Sequence, residues 1–246
     1  TYTKEITCMS ILRDSFVKLP DYKGHQCGRA KFTVCYNLGY QWGGGTAGGM
    51  EMTNICLKDN FGIEVDYNVE VSFDSFIKMI DYIDGVDIDL TQAEADYLNK
   101  DTLYVKRTIE PGVQRLQGME ALSYARMRKA AGDSESDIKR TERQRKVVEA
   151  LLEKFRYRSI ADLNNWIDIL LPMVSTTMTP TDVTKLAARV LPIFSELKIK
   201  GATVPMEGWG DMVDIYNDGQ IHSVMRFDTA KEKKLIRAIT EAEVSD

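Results

Sequence analysis

Arginines are the residues of this sequence whose type and spacing point most directly to chemistry. Arg126 and Arg128 stand two positions apart, so in an extended segment both side chains would lie on one side of the backbone. Two parallel guanidinium groups offer fixed donors that suit a phosphate or a pyrophosphate. Such a pair is also common on solvated surfaces, and the pattern alone leaves both interpretations open.

A second group of polar residues lies on the longest predicted helix. At about 100° per residue, Arg140 and Gln144 fall on the same stripe as Val148 and Leu151. The pattern therefore predicts that Arg140 and Gln144 face inward near the N-terminal end of this helix. A buried arginine needs a partner, which could be a bound anion or an internal carboxylate.

A third charged pair, Arg13 and Asp14, directly follows an apolar strand predicted for residues 6–12. Ligands of α/β proteins bind at the carboxyl ends of strands. Because adjacent residues of a strand point in opposite directions, these two side chains are poorly placed to pair with each other. The pattern favours separate outside partners for Arg13 and Asp14.

Composition and charge limit the classes of function. The chain has 246 residues, 43% of them hydrophobic, which is typical of a globular protein with one sizeable core. The net charge of −5 argues against general nucleic-acid binding. The segment 126–146 alone carries +4, however, and the rest of the chain carries −9. A cationic island on an acidic chain favours a specific anionic ligand.

Other kinds of site have weaker support. The cysteines (Cys8, Cys27, Cys35 and Cys56) form no C-x-x-C pair, so buried free thiols are expected, with one disulfide as the alternative outside the cell. Only two histidines are present and neither is near a nucleophile elbow, which argues against Ser–His hydrolysis. Among the 37 acidic residues no pair stands out as the carboxylates of a glycosidase.

The hydrophobic pattern predicts strands that alternate with helices. Alternation of this kind indicates one α/β domain with strands in mixed directions. Strands are predicted at 6–12, 65–73, 86–90, 199–204, 212–216 and 221–227, a hairpin-like stretch at 103–109, and a turn at Asp218-Gly219. Helices are predicted at 74–84 with Asp74 as cap, from Gly118, at 137–156 packed by Val148, Leu151, Leu152 and Phe155, and at 160–171, 181–197 and 228–240; residues 31–40 are a helix or an irregular wall.

Five blocks of the sequence resemble, in the same order, motifs of the LytR–CpsA–Psr family. They are SILRDSFVKLP at 10–20, KFTVCY at 31–36, the stretch 61–87, GMEALSYARMR at 118–128, and DIKRTERQRKV at 137–147 with Asp133 and Ser134 ahead of it. The residues after these blocks match only in their pattern of strands and helices. Five ordered blocks are a specific signal.

The resemblance implies a three-layer α-β-α fold with a central mixed sheet and a polyprenyl-pyrophosphate pocket. It implies that the catalytic residues are Arg13, Arg126, Arg128 and Asp14, and that the pyrophosphate is bound by Arg13, Lys31, Arg126, Arg128, Arg140, Arg143 and Gln144. The guanidinium groups of Arg13, Arg126, Arg128 and Arg140 are expected to converge on one cavity. Asp14 or Asp137 would orient an arginine or accept a proton. The lipid needs an apolar channel, for which residues 166–174 are apolar enough, although each could equally belong to the core.

The implied activity is that of a phosphotransferase. A glycopolymer such as teichoic acid or capsule would move from a polyprenyl-pyrophosphate carrier to peptidoglycan, at the extracytoplasmic face of a Gram-positive-type bacterium. The membrane would be reached through an N-terminal anchor outside this chain. A competing class is a module that binds the polyprenyl carrier, for regulation, without transfer.

One block of the family pattern, G-R-S-D-T, precedes S-I-P-R-D and has no counterpart after Thr1. In the family this block supplies an arginine and a magnesium-binding carboxylate. We therefore expect residues 1–246 to be a single domain truncated at its N-terminus, without the first strand or strands. The ligands of Mg²⁺ are expected upstream, and the chain alone is expected to bind the carrier weakly and not to transfer glycan.

Overall fold

The computed structural model describes residues 4–128, 137–156, 160–206, 208–217 and 220–241. Over these residues the chain forms strands and helices in mixed order. The elements are β1 (Glu5–Ile11), β2 (Phe16–Lys18), β3 (Arg29–Lys31), α1 (Phe32–Trp42), α2 (Thr46–Phe61), β4 (Val69–Glu70), α3 (Phe73–Tyr82), β5 (Val86–Leu90), α4 (Gln92–Lys100), β6 (Gly112–Leu116), α5 (Gly118–Arg126), α6 (Asp137–Arg156), α7 (Ile160–Leu170), β7 (Ser175–Thr176), α8 (Pro180–Val190), β8 (Lys198–Val204), β9 (Gly210–Asn217), β10 (Gln220–Phe227) and α9 (Thr229–Glu241). The predicted α/β class is confirmed. None of the described helices is both long and apolar enough to cross a membrane.

Contacts divide the chain into two compact units. The terminal unit comprises Thr1–Asn68 and Lys200–Asp246, and the central unit comprises Val69–Ile199. Each unit has its own hydrophobic cluster. The sequence predicts one sizeable core, or a core with a small appendage, in a single domain, and this stays a prediction.

The strands of the terminal unit meet around the segment that follows β1. β1 pairs with β8, β2 pairs antiparallel with β3, and β9 pairs antiparallel with β10. The amide of Met225 on β10 donates to the carbonyl of Asp14, 2.8 Å away, and Leu12 donates to Val204 over the same distance. Backbone hydrogen bonds thus fix residues 12–15 from two neighbouring strands.

Two helices of the terminal unit approach each other through glycines. A Cβ added at Gly39 on α1 would collide with the carbonyl oxygen of Gly48 on α2. α2 then ends at Gly62, whose φ of 73° is a conformation that glycine adopts without strain. The buried side chains Cys35, Met52 and Cys56 fill the space around this crossing.

In the central unit, β5 shows the clearest agreement between sequence and structure. Val86, Ile88 and Leu90 are buried and alternate with exposed Asp87 and Asp89, as expected for a strand with one face on a core. β6 pairs antiparallel with β5, and α6 packs against β5.

The helices α3 and α5 also make a close approach. A Cβ at Gly118, the first residue of α5, would collide with the carbonyl oxygen of Ile77 on α3. The amide of Gly118 donates to Asp81 Oδ1, 2.7 Å away, near the end of α3. The start of α5 therefore lies beside the end of α3, and only glycine fits this position.

Several predicted boundaries were wrong. The strand expected at 65–73 is reduced to Val69–Glu70, since α3 begins at Phe73 and its cap is Ser72, whose side chain accepts from the Ser75 amide. Residues 103–109 form turns and loop instead of a hairpin. The Asp218-Gly219 turn lies outside the described residues.

The predicted orientation of α6 was also wrong. The buried positions are Thr141, Arg143, Val147 and Ala150, whereas Val148 is 43% exposed and Gln144 is exposed. The side chain of Phe155 lies outside the described residues. The buried stripe contains an arginine. A prediction based on apolar residues alone therefore shifts the buried face of the helix by about one position.

We expect Gly39→Ala to destabilise the protein. The added methyl group has no space against Gly48, and overpacking of this kind costs about 1–3 kcal/mol. This exceeds the about 0.5–1 kcal/mol that alanine gains over glycine inside a helix. Urea unfolding checks the difference, with Gly28→Ala as control, because no atom lies within 4 Å of a Cβ at Gly28. Equal stabilities of the two variants would contradict the close helix contact.

Candidate functional site

The terminal unit brings together Arg13, Asp14 and Lys31. Lys31 Nζ lies 3.0 Å from Asp14 Oδ1, and Arg13 Nε lies 3.6 Å from Asp14 Oδ2. The prediction that adjacent Arg13 and Asp14 would not pair was wrong. β1 ends at Ile11 and the chain turns, with the Ser15 amide donating to the Leu12 carbonyl, so the alternation of a strand does not apply here.

This cluster carries two cations on one carboxylate. Lys31 immediately precedes α1, and the Thr33 amide in the first turn of that helix donates to the Arg13 carbonyl at 3.1 Å. Asp14 is the least exposed of the three side chains and Arg13 is the most exposed. The cluster therefore presents a net positive charge, with the Arg13 guanidinium accessible to solvent.

The central unit places Arg126 at the end of α5. Its guanidinium carbon lies 5.0 Å from the ring centre of Phe73 and 6.0 Å from that of Tyr104, and Nη1 lies 3.4 Å from the Tyr104 hydroxyl. Arg126 is exposed. The Arg126 guanidinium thus lies against two aromatic side chains.

Arg128 is exposed and stands beyond the end of the helix. The residue between the two arginines, Met127, is completely buried and has extended backbone angles. The prediction that both arginines lie in an extended segment was wrong, because Arg126 is the last residue of α5.

α6 attaches to this same segment. Arg143 Nη1 donates to the Met127 carbonyl at 3.3 Å, and Gln144 Nε2 donates to the Ala125 carbonyl at 3.4 Å. Arg140 is half-buried on the same helix. Arg143 and Gln144 thus bind the backbone at the end of α5, next to the positions of Arg126 and Arg128.

Arg143 takes the internal carboxylate partner that sequence reasoning considered for Arg140. Arg143 Nε lies 3.0 Å from Glu94 Oε1, with side-chain exposures of 6% and 7%. The Tyr124 hydroxyl also approaches this oxygen, at 3.3 Å. A contact between Arg143 and pyrophosphate stays a prediction, as do the predicted roles of the other site residues and their convergence on one cavity.

The Glu94 carboxylate stays ionised despite its burial. Burial alone raises its pKa, but the hydrogen bond from the Thr91 backbone and the Arg143 guanidinium outweigh this effect and lower the pKa below its usual value. The burial of the Tyr124 hydroxyl, together with the nearby negative charge of Glu94, raises the pKa of Tyr124. Sequence reasoning missed Glu94, although Thr91-x-x-Glu94 is the pattern of a capping box, which the structure contains at the start of α4.

The apolar stretch predicted as a lipid channel contributes to the core. Leu170 is buried in the central cluster, and Trp166 and Met173 pack against it. A cavity of about 710 Å³ in the central unit is lined instead by β5, α6 and residues 197–199, where carboxylates and cations alternate with a few apolar side chains.

The described residues do not form a carboxylate set for a metal. No group of three or more Asp, Glu, His or Cys side chains among them is placed to hold an ion. Asp14 is occupied by Lys31 and Arg13. The side chain of Asp137 and the whole of residues 129–136, with Asp133 and Ser134, lie outside the described residues.

An α/β fold that carries exposed arginines at a helix junction defines a candidate anion-binding protein. Comparison with known sequences makes this class specific, because the profile of the LytR_cpsA_psr family matches residues 1–234. The chain belongs to this family. The family resemblance drawn from the sequence is thereby confirmed.

Two relatives and one solved structure give the comparison detail. The regulatory protein MsrR of Staphylococcus aureus is 30% identical over 219 residues, which cover 88% of this chain and 59% of MsrR. The polyisoprenyl-teichoic acid–peptidoglycan teichoic acid transferase TagT of Bacillus subtilis is 31% identical over 168 residues, 68% of this chain and 46% of TagT. A solved structure of TagT with bound octaprenyl pyrophosphate has a TM-score of 0.67 at 20% identity, covering 99% of this chain and 80% of that one. The chain thus spans about three fifths of the length of MsrR, and the structural likeness concerns the fold.

We expect Glu94→Gln to destabilise the central unit strongly at pH 7. The substitution leaves the Arg143 guanidinium buried without a counter-charge, and breaking a buried pair costs about 3–5 kcal/mol. The control is Glu142→Gln, which removes a surface pair with Lys139 and should cost less than about 1 kcal/mol.

The same pair predicts a pH dependence. Because folding lowers the pKa of Glu94, its contribution to stability is present above the unfolded pKa of about 4.5 and is lost as pH falls through the lower folded value. The difference in unfolding free energy between wild type and Glu94→Gln should therefore shrink in acid. If the difference in unfolding free energy stayed constant from pH 7 to pH 3, the ionised Glu94 carboxylate would not be the source of the stabilisation.

Proposed function

We propose that this protein is a phosphotransferase that moves a glycopolymer from a polyprenyl-pyrophosphate carrier onto peptidoglycan. Membership of a family that includes a named teichoic acid transferase is the observation that carries the proposal. The exposed arginines at the junction of α5 and α6 support it, since guanidinium groups suit the geometry and charge of a pyrophosphate. The proposed location is the extracytoplasmic face of the membrane, where carrier and cell wall meet.

The proposed reaction replaces a phosphoanhydride bond of the carrier with a phosphodiester bond to the acceptor. An acceptor hydroxyl attacks the phosphorus that bears the glycan, a new P–O bond forms, and the bond to the bridging oxygen breaks. Polyprenyl phosphate leaves with the bonding electrons, and the hydroxyl proton passes to a base, for which Asp14 and Asp137 are the two candidates. Catalysis of this kind consists mainly of positioning and charge neutralisation, which Arg126, Arg128 and Arg13 would supply.

A second candidate is a domain that binds the polyprenyl carrier without transfer. The name of MsrR, a regulatory protein, favours this possibility. The two candidates agree in the ligand and differ in turnover. Binding of the carrier without transfer, in a protein extended to the length of its relatives and given an acceptor, would support the second candidate.

In a protein extended to the length of its relatives, we expect Arg128→Ala to abolish most of the transfer. Loss of one donor to a developing oxyanion lowers kcat by about 100-fold to 1,000-fold in other enzymes. Arg128→Lys should rescue poorly, because an ammonium group cannot reproduce the bidentate fork. The measurement is release of polyprenyl phosphate from a lipid-linked sugar.

The matched control is Arg115→Ala. Arg115 is also a surface arginine of the central unit, but it pairs with Asp84 and Asp87, each 2.9 Å away. The Arg115→Ala substitution should leave transfer unchanged. Equal losses in both variants would reveal a general effect of surface charge and would remove Arg128 from the site.

We also propose that transfer depends on Mg²⁺. The resemblance to the motifs of the LytR–CpsA–Psr family implies this ion, and Mg²⁺ is commonly bound through one or two carboxylates together with substrate phosphates. A chelator should therefore abolish transfer by the protein extended to the length of its relatives, and added Mg²⁺ should restore it. Full activity in the presence of chelator would refute the requirement.

A further inference from the structure

We propose that Phe73 and Tyr104 form an aromatic bracket that positions the Arg126 guanidinium for the pyrophosphate of the carrier. The inference rests on the proposed function, since it assigns a task to two residues beside an arginine of that site. Phe73 and Tyr104 act through Arg126, and they are therefore positioning residues.

The bracket is defined by three contacts to one side chain. The Arg126 guanidinium carbon lies 5.0 Å from the Phe73 ring centre and 6.0 Å from the Tyr104 ring centre, both within the range of cation–π attraction. Arg126 Nη1 also lies 3.4 Å from the Tyr104 hydroxyl. Two rings on one guanidinium restrict its rotamers while occupying few of its five N–H donors.

Phe73 has no evident role in the core. Phe73 is 60% exposed and is the first residue of α3. The N-terminal cap of this helix is supplied by Ser72. A large exposed aromatic residue at this position does little for helix formation. The Phe73 ring instead contacts the Arg126 guanidinium.

The close packing of α3 and α5 determines where Phe73 lies. Gly118 allows the start of α5 to touch α3 at Ile77, and its amide binds Asp81 near the end of α3. At the other end of α5, Arg126 lies against Phe73 at the start of α3, so the two helices run antiparallel.

Tyr104 is fixed to the same helix by a different route. Ser123 on α5 donates to Asp101 Oδ2, 2.5 Å away, and the amides of Tyr104 and Val105 both donate to the Asp101 carbonyl. The turn that carries Tyr104 is thus tied to α5 one turn before Arg126. Both rings are positioned by the helix that carries the arginine.

The bracket lowers the cost of binding an anion. A free arginine loses rotamer freedom when it grips a phosphate, and an arginine already held in place loses less. An ion pair with a carboxylate would also hold the side chain, but it would neutralise the charge that the anion needs. Aromatic faces hold the guanidinium and leave its charge available.

The experiment is a double-mutant cycle on binding of farnesyl pyrophosphate, measured by calorimetry. Phe73→Leu keeps an apolar side chain and removes the π face, and we expect a dissociation constant about two- to fivefold higher. Phe73→Tyr keeps the ring and should bind like wild type. In an Arg126→Ala background, Phe73→Leu should have no further effect. In transfer assays the change should appear in KM.

The outcomes separate the two proposals. No change in binding on Arg126→Ala would overturn the proposed role of Arg126 in the site. Weaker binding in Arg126→Ala together with unchanged binding in Phe73→Leu would overturn the bracket alone. An equal effect of Phe73→Leu in both backgrounds would mean that the ring contacts the ligand directly, which also overturns the bracket.

A second measurement needs neither ligand nor a stable Phe73→Leu variant. Ring currents should shift the Nε–H proton signal of Arg126 upfield of the position of a solvated arginine. Phe73→Tyr should preserve the shift. An Arg126 signal at the position of a solvated arginine would overturn the bracket.

Discussion

The buried ion pair of Glu94 and Arg143 is the interaction on which the candidate site of the central unit depends. Glu94 Oε1 receives the Arg143 guanidinium and the Tyr124 hydroxyl, and Oε2 receives the amide and hydroxyl of Thr91. Four donors around one carboxylate compensate for its removal from water, which a single partner would not do. Because Arg143 also binds the Met127 carbonyl, the pair connects α4, α5 and α6 at the point where the exposed arginines emerge.

Local patterns predicted the elements whose side chains follow one period. β5 alternates buried apolar and exposed acidic residues, and both its bounds were correct. α6 was predicted with correct bounds and the wrong buried face. Its buried stripe contains Thr141, which donates to the Ile138 carbonyl of the same helix, and Arg143, whose partner Glu94 is distant in the sequence. Hydrophobic periodicity does not register a charged residue that is buried with its counter-ion.

The cations of the candidate site were predictable, and the groups that hold them were not. The spacing of Arg126 and Arg128 and the family blocks identified the positive residues. Glu94 is 49 residues from Arg143, and Phe73 is more than fifty from Arg126. Such partners are set by helix packing, which single-sequence patterns do not encode. The turn at Leu12–Ser15 had the same consequence on a smaller scale, since it allowed Arg13 and Lys31 to pair with the one carboxylate of Asp14.

The partners of the arginines distinguish structural residues from candidate ligand-binding residues. Arg107 forms an ion pair with Glu120, Arg115 with Asp84 and Asp87, and Arg143 with Glu94. In each case a carboxylate cancels the charge and takes up the donors. Among the residues that the structure describes, no carboxylate pairs with Arg126 or Arg128. A charge that lies against aromatic rings remains available to an incoming anion, which supports the proposed pyrophosphate site at the end of α5.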